Sequence, residues 1–428
     1  MSNELISILV LIAVFLISTT MGINMGVLGV VAAFALGTAL GVSEDDIFAG
    51  FPGDLFVILV GVTLLFGIAS NNGTVEWLIQ AAVRAVKGRT IAIPWVFFLI
   101  TAVLTASGAV VPGAVAIVAP IALGFAVQYG INPVLMGLFV INGATAGGFS
   151  PVSVFGSIVN GVVEREDLAE NSMLLFASSF IVNFLLCFVV FFLFGGRKLL
   201  GHRVEPGETV DDPEPAAGDA TTTAPAEVPE LDRDKILTLV GILSLIVVAL
   251  AFDVDVGFVA FSIAATLMLI SPKARKGAVE KVAWSTVLLI CGIVMYVGLL
   301  EEIGTIDWLG EQVATLDRAL LAALLICYVG GVVSAFASTT GILGALIPLA
   351  VPFLETGAVG AVGLIIALSI SSSVVDSSPF STSGALTVAN TPEEQRERMF
   401  KNLMRWGMSM VLVAPPIAWL VFVVPGWL

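Results

Sequence analysis

Along this chain apolar runs alternate with short polar or glycine-rich breaks from one end to the other. Many runs reach the roughly 17–25 residues that a helix needs to cross a bilayer. Spans are expected near 4–20, 24–41 and 54–72, followed by an amphipathic segment, Val75–Val86, suited to lie in the interface. Two apolar arms, 91–105 and 113–128, are joined by "ASGAVVPG". A run from Pro133 is interrupted at "GGFSP", and an unbroken one covers 172–195. The same order then returns: spans near 236–252, 255–271 and 282–300, arms at 319–335 and 341–355, a broken run from Val359, and a last helix at 402–424.

The return is a duplication. "GTVEWL" (Gly73–Leu78) recurs in the second half as "GTIDWL" (Gly304–Leu309), and the offset that carries Gly73 onto Gly304 also pairs Gly61 with Gly292 and Gly67 with Gly298. Farther on the offset is slightly shorter and again constant. It pairs Gly113 with Gly341, Pro120 with Pro348, Ser150 with Ser378, Pro151 with Pro379, Ser153 with Ser381 and Gly156 with Gly384. Chance could give one such pair; a gapless series of Gly, Pro and Ser matches at helix-breaking positions points to duplication.

Composition sets the medium. The chain is 58% hydrophobic and 12% charged, with a mean hydropathy of +1.06, which excludes a water-soluble core and describes an all-α polytopic membrane protein. Residues 5–20 lack the basic flank and small-residue cleavage site of a signal peptide and read as the first span. Cys187, Cys291 and Cys327 lie in apolar segments without metal spacing, and the one histidine, His202, sits in a basic loop. A histidine relay, a histidine metal site within the membrane and a serine hydrolase with a histidine base are therefore excluded; neither an enzyme, a nucleic-acid partner nor a cofactor beyond a possible coupling Na⁺ is expected. Much of the net charge of −15 is local: residues 204–234 carry ten acidic residues and one arginine among Pro, Ala and Thr, the composition of a disordered tether. The expected organisation is a first transmembrane repeat over 1–200, an acidic linker over 201–234 and a second repeat over 235–428.

Charge also orients the chain. If each pair of arms is a re-entrant hairpin, each repeat has five crossings and the two repeats are inverted. Sixteen of the 18 Lys+Arg then share one side, with only Arg165 and Arg318 opposite. The positive-inside rule makes that side cytoplasmic. If the arms spanned fully, the asymmetry would largely vanish. The expectation is ten spanning helices and two hairpins in the cell membrane, both termini outside and the linker cytoplasmic.

Chemistry collects at four breaks: the hairpin tips "TASGAVVPG" (Thr105–Gly113) and "FASTTG" (Phe336–Gly341), and the broken spans "NGATAGGFSPVSVFG" (Asn142–Gly156) and "SISSSVVDSSPFSTSG" (Ser369–Gly384). Inverted repeats with discontinuous helices characterise secondary transporters, whose sites lie where the breaks meet. Pro151 and Pro379 are expected to open half-helices, since proline suits a helix's first turn, and their free N–H groups would attract an anion. Candidate substrate contacts are Asn142, Thr145, Ser150, Pro151 and Ser153 in the first repeat, and Ser338, Thr339, Thr340, Ser377, Ser378, Pro379 and Ser381 in the second. Asp376 is the one acid in these breaks, at a depth where a charge costs at least about 2.5–3.5 kcal/mol. Three readings stay open for it: ligand of Na⁺, carrier of a coupling proton, or neutral structural acid. Candidate cation contacts beside it are Ser107, Gly108, Gly147, Gly148, Ser338, Thr339 and Ser373. The absence of a basic residue at that depth favours cation-coupled symport of a small carboxylate; a Na⁺/H⁺ antiporter is the alternative.

Repeat, hairpins and broken helices together resemble the ion transporter superfamily, which includes the divalent anion/sodium symporters. Within it, "ASGAVVPGAVAIVAPIALGFAVQYGINP" and "INGATAGGFSPVSVFGSIV" look like the malonate/dicarboxylate carrier family. The resemblance implies a homodimer with a fixed scaffold and an elevator-like transport domain, and a malonate or C4-dicarboxylate substrate. The symporters carry Ser-Asn-Thr at both tips. Here Ser338-Thr339-Thr340 matches in part, Val110-Val111-Pro112 does not, and Ser-Pro stands where the symporters have Thr-Pro-Pro.

Overall fold

The computed structural model describes residues 2–85, 90–165, 168, 171–199, 231–252, 254–306, 308, 319–335, 339–355 and 357–426. The expected linker falls outside them up to residue 230, and the next helix starts at Arg233, just inside the boundary placed at 234.

Among the described residues there are helices and turns and no strand. In the first half they are α1 (Asn3–Met21), α2 (Met25–Leu40), α3 (Glu44–Ala49), α4 (Gly53–Asn71), α5 (Thr74–Ala85), α6 (Ala92–Ala106), α7 (Val111–Gln128), α8 (Pro133–Gly147), α9 (Val154–Arg165) and α10 (Ser172–Leu193). In the second they are α11 (Arg233–Phe252), α12 (Val256–Ile270), α13 (Pro272–Arg275), α14 (Trp284–Glu302), α15 (Ala319–Ser334), α16 (Thr339–Glu355), α17 (Ala361–Val374), α18 (Thr382–Ala389) and α19 (Glu393–Ala418). Six of these helices or helix runs are long and apolar enough to cross a membrane unaided. The acidic stretch after α2, which reads as loop in the sequence, forms the short helix α3: Ser43 accepts from the Asp46 N–H, and Glu44, Asp45 and Asp46 fill its positive first turn.

Two groups of contacts organise the chain. In one, α8 packs against α6, α7 and α10, and α17 packs against α15, α16 and α19. Trp95 fills the first of these bundles among Phe139, Phe184 and Phe188. In the other, α4 packs on α12 and α14 packs on α2. Both of those crossings depend on glycine. An ideal Cβ on Gly26 would lie 1.8 Å from the Leu288 carbonyl oxygen, and one on Gly292 would lie 2.0 Å from the Gly26 oxygen. Between α12 and α4, a Cβ on Gly257 would lie 2.6 Å from the Ile58 nitrogen, and one on Gly61 would lie 2.7 Å from the Gly257 oxygen. The repeat offset that carries Gly61 onto Gly292 also carries Gly26 onto Gly257, so the same pair of positions makes both crossings with the roles of the halves exchanged. Backbone-to-backbone approach of this kind is how membrane helices associate where the lipid offers no hydrophobic drive.

A further reciprocity joins the groups: α18 packs on α7, and α9 packs on α16. The second arm of each pair thus meets the short helix that follows the break in the other half.

Candidate functional site

Each broken span is a helix, a tight turn and a second helix. In the first, α8 ends at Gly147, and a Cβ there would lie 2.0 Å from the Ala102 oxygen and 2.3 Å from Thr105 Oγ1. The break therefore lies directly on the first hairpin tip, where Ser150 Oγ donates to the Ala106 carbonyl at 2.6 Å. Ser107 Oγ donates to Val103, and Gly108 adopts φ 113° with its α-carbon against Val62, a place no side chain fits. Ser107, Gly108, Gly147, Gly148 and Ser150 are thereby brought together.

The turn itself is locked by one serine. Ser153 Oγ donates to the carbonyls of Gly148 and Ser150 and accepts from the Gly156 N–H at 3.3 Å. In the second break Ser381 Oγ donates to the carbonyls of Asp376 and Ser378 and accepts from the Gly384 N–H at 3.4 Å. A Cβ on Gly156 or Gly384 would lie 1.9 Å from the oxygen of Ser150 or Ser378 respectively, so both turns require glycine. This geometry corrects one expectation. Pro151 and Pro379 do not open the half-helices; α9 begins at Val154 and α18 at Thr382, with Ser381 as the cap. The hydroxyl three residues short of the glycine satisfies the helix's first donors, and the prolines sit in the turn before it.

The side chains then diverge. Asp376, 2% exposed, accepts a hydrogen bond from Ser383 Oγ at 2.5 Å and makes no ion pair among the described residues. Gly148 and Phe155 occupy the corresponding positions of the first break and are in contact, since a Cβ on Gly148 would lie 3.2 Å from the Phe155 ring. On the second tip Thr339 Oγ1 is 2.8 Å from Ser334 Oγ and donates to the Ser372 carbonyl at 3.4 Å. Ser338 lies outside the described residues. Ser373 and Ser377 donate within their own helical turn, to Ile370 and Val374, and Ser378 Oγ accepts from the Phe380 N–H. Helix α19 closes the break from behind, where Gly407 meets Ser378. Ser369 and Ser372 hydroxyls are buried without a partner.

A cavity of about 850 Å³ lies between the two groups of helices. Its lining includes Val110, Pro112 and Gly113 of the first tip, Thr340 of the second, and Phe380, Ser381 and Thr382 of the second break. Asn24, Thr63, Ser70, Lys281, Ser285 and Thr286, from the other group, line it too. The first residues of α2, α7, α14, α16 and α18 all border it. No side chain caps α7 or α14, so their positive ends are turned to this space, although at α14 the Trp284 and Thr286 N–H groups are bonded to the Val282 and Ala283 carbonyls. Among the described residues no carboxylate lines it. Asn142 and Thr145 are not in its wall: Asn142 donates to Cys187 Sγ at 3.7 Å and Thr145 to the Ile141 carbonyl, in a polar seam toward α10. Ser150, Pro151 and Ser153 are likewise away from it.

A second cavity of about 510 Å³ sits at the opposite ends of α4 and α14, with Asp46, Asp54, Glu301 and Glu302 in its wall and Arg165 paired to Asp54 at 2.5 Å. Among the described residues no cluster suits a metal ion of the His, Cys or carboxylate type.

The model of the sodium:sulfate symporter transmembrane region matches residues 167–391, more than half the chain. The chain belongs to the sodium:sulfate symporter family. Its residues 1–148 match the dicarboxylate carrier protein MatC N-terminus, in keeping with the resemblance carried by the tip and break motifs. These are transporter families, not enzyme families, and with the apolar helices they make this a multi-pass membrane transporter. Uncharacterised transporters of Mycobacterium bovis and Mycobacterium tuberculosis are each 21% identical over 76% of this chain and 75% of their own length. The solved YdaH transporter of Alcanivorax borkumensis shares the fold, with a TM-score of 0.59 and 15% identity over 87% of this chain and 86% of that one.

Lys281, Asn24, Ser285 and Thr286 were not among the sequence candidates. In the sequence Lys281 belongs to a connection and Asn24, Ser285 and Thr286 to the first turns of apolar spans, where polar residues read as helix entries.

Proposed function

We propose that this symporter-family chain is an elevator-type secondary active transporter that carries a small dicarboxylate, such as malonate or a C4-dicarboxylate, together with Na⁺ or H⁺. One observation carries it: both hairpin tips and the second break converge on a cavity ringed by helix N-termini, with a lysine and, among the described residues, no carboxylate in its lining. Such a space attracts anions and repels cations. The MatC match over the first 148 residues favours a dicarboxylate, and the match to the sodium:sulfate symporters makes Na⁺ the first coupling ion to test and sulfate the first competitor.

In this proposal the helices from α6 to α10 and from α15 to α19 form the moving body. The glycine crossings of α2 with α14 and of α4 with α12 hold the frame. The two halves, 1–200 and 235–428, are inverted repeats of five spans and a hairpin, joined by a cytoplasmic tether over 201–234, with both termini outside and two copies in a homodimer. Asp376 serves the coupling ion, because it is buried without a counter-charge beside the second tip.

The test is uptake of labelled malonate, succinate and sulfate into proteoliposomes, with Na⁺ and proton gradients imposed separately. Gradient-driven accumulation of a dicarboxylate is expected; exchange that responds to neither gradient rejects symport. The lone buried acid also favours a second reading, a Na⁺/H⁺ antiporter, which predicts Na⁺-driven pH change with no carboxylate present.

A further inference from the structure

The two cavities are built from corresponding positions, and this makes each a control for the other. The repeat offset that carries Gly67 onto Gly298 also carries Gly50 of the second cavity onto Lys281 of the first, and Asp54 onto Ser285. The backbone contacts correspond as well. A Cβ on Gly67 would lie 2.8 Å from Lys281 Cβ, and one on its counterpart Gly298 would lie 2.9 Å from the Gly50 α-carbon. The same close approach thus carries an ammonium group in one cavity and a bare hydrogen in the other. Acids are distributed the opposite way: among the described residues four carboxylates line the second cavity and none lines the first. Lys281 makes no ion pair among the described residues, in contrast to Lys273, which lies 3.6 Å from Asp232, and Lys401, bonded to Glu397.

A lysine kept free at the wall of an acid-free cavity is fitted to an anion that arrives from solution. The tips and the second break, with their hydroxyls and helix ends, line the same cavity. A substrate with one carboxylate can meet either Lys281 or those hydroxyls and helix ends; a substrate with two can meet both. We propose that Lys281 receives the second carboxylate of the substrate and sets the preference for dianions over monoanions. This rests on the carboxylate reading given above and adds the residue that decides the charge class.

The experiment is ligand-induced thermal stabilisation of the detergent-solubilised full chain, titrated with malonate and succinate and with their monomethyl esters, at a pH where all free carboxyls are ionised. Wild type, Lys281→Met and Lys281→Arg are compared. Lys281→Met is expected to weaken binding of both diacids by about three- to fivefold, the upper range for a solvent-accessible ion pair. The half-esters are expected to bind wild type and Lys281→Met alike, and Lys281→Arg to retain the diacid preference. Because Lys281 is exposed, the methionine variant leaves the core intact. Diacids that stabilise wild type and Lys281→Met equally, or a loss shared by diacid and half-ester, overturn the role of Lys281 while leaving the carboxylate reading standing. Wild type stabilised by neither diacid nor half-ester overturns both.

Discussion

The two broken spans share one backbone and differ in chemistry. Each turn is locked by a serine that donates to two carbonyls and caps the following helix, and each requires a glycine whose Cβ would lie 1.9 Å from a carbonyl oxygen. Where the first break has Gly148 against Phe155, the second has Asp376 bonded to Ser383. Phe149 packs on Phe155 in the first, and Ser377 stands at its counterpart in the second. The lock is a structural device present twice; the acid and its hydroxyl partner stand in one copy only. What is common to both copies speaks to stability, and what is unique to one is the first place to test for transport.

That division can be broken experimentally. The largest effect is expected from Gly156→Ala and Gly384→Ala, since neither carbonyl can retreat without opening the turn. Each should cost stability at or above the top of the roughly 1–3 kcal/mol range for overpacking, read as loss of the monodisperse, heat-stable peak in detergent. One of the two being tolerated would show that the turns are not equivalent. Asp376→Asn keeps the shape and removes the charge. We expect gradient-driven uptake to fall about tenfold or more, the scale of a hydrogen bond to a charged group, with melting temperature held; unchanged accumulation would return Asp376 to a structural role. Ser153→Ala and Ser381→Ala remove a cap and two hydrogen bonds each, and equal losses of about 1–2 kcal/mol are expected in thermal unfolding. A much larger loss at Ser381 would mean that the lock also positions Asp376. The smallest effect is expected at the second cavity, where Asp54→Asn breaks a half-exposed ion pair with Arg165. Stability should change by less than about 1 kcal/mol, and a larger change would mark that pair as a clamp between α4 and α9.

Much of the fold was legible because its signals are local. Bilayer length, Gly-Pro punctuation and the repeated short motifs lie in consecutive residues, and the observed helices fall close to the spans read from them. The boundary errors have local physical reasons too. Proline at 151 and 379 suggested a first helical turn, but the hydroxyls of Ser153 and Ser381 captured the helix ends and set the start at Val154 and Thr382. The acids after α2 read as loop until Ser43 capped them into α3.

By itself the sequence determined that the chain lives in a bilayer, that it is duplicated, where its helices break, and that Asp376 is the acid unique to one copy. Those properties follow from hydropathy, periodicity and residue type, each readable within a short window. Only the tertiary structure decided which breaks share a cavity and what faces them. Lys281, Asn24 and Ser285 come to line the same cavity as the hairpin tips because α14 crosses α2 at Gly26 and Gly292, one residue from each half of the chain. A contact across that separation is set by the fit of two backbones, and neither local stretch records its partner. For the same reason Asn142 and Thr145, which lie in a break motif, were turned toward α10 and away from the cavity.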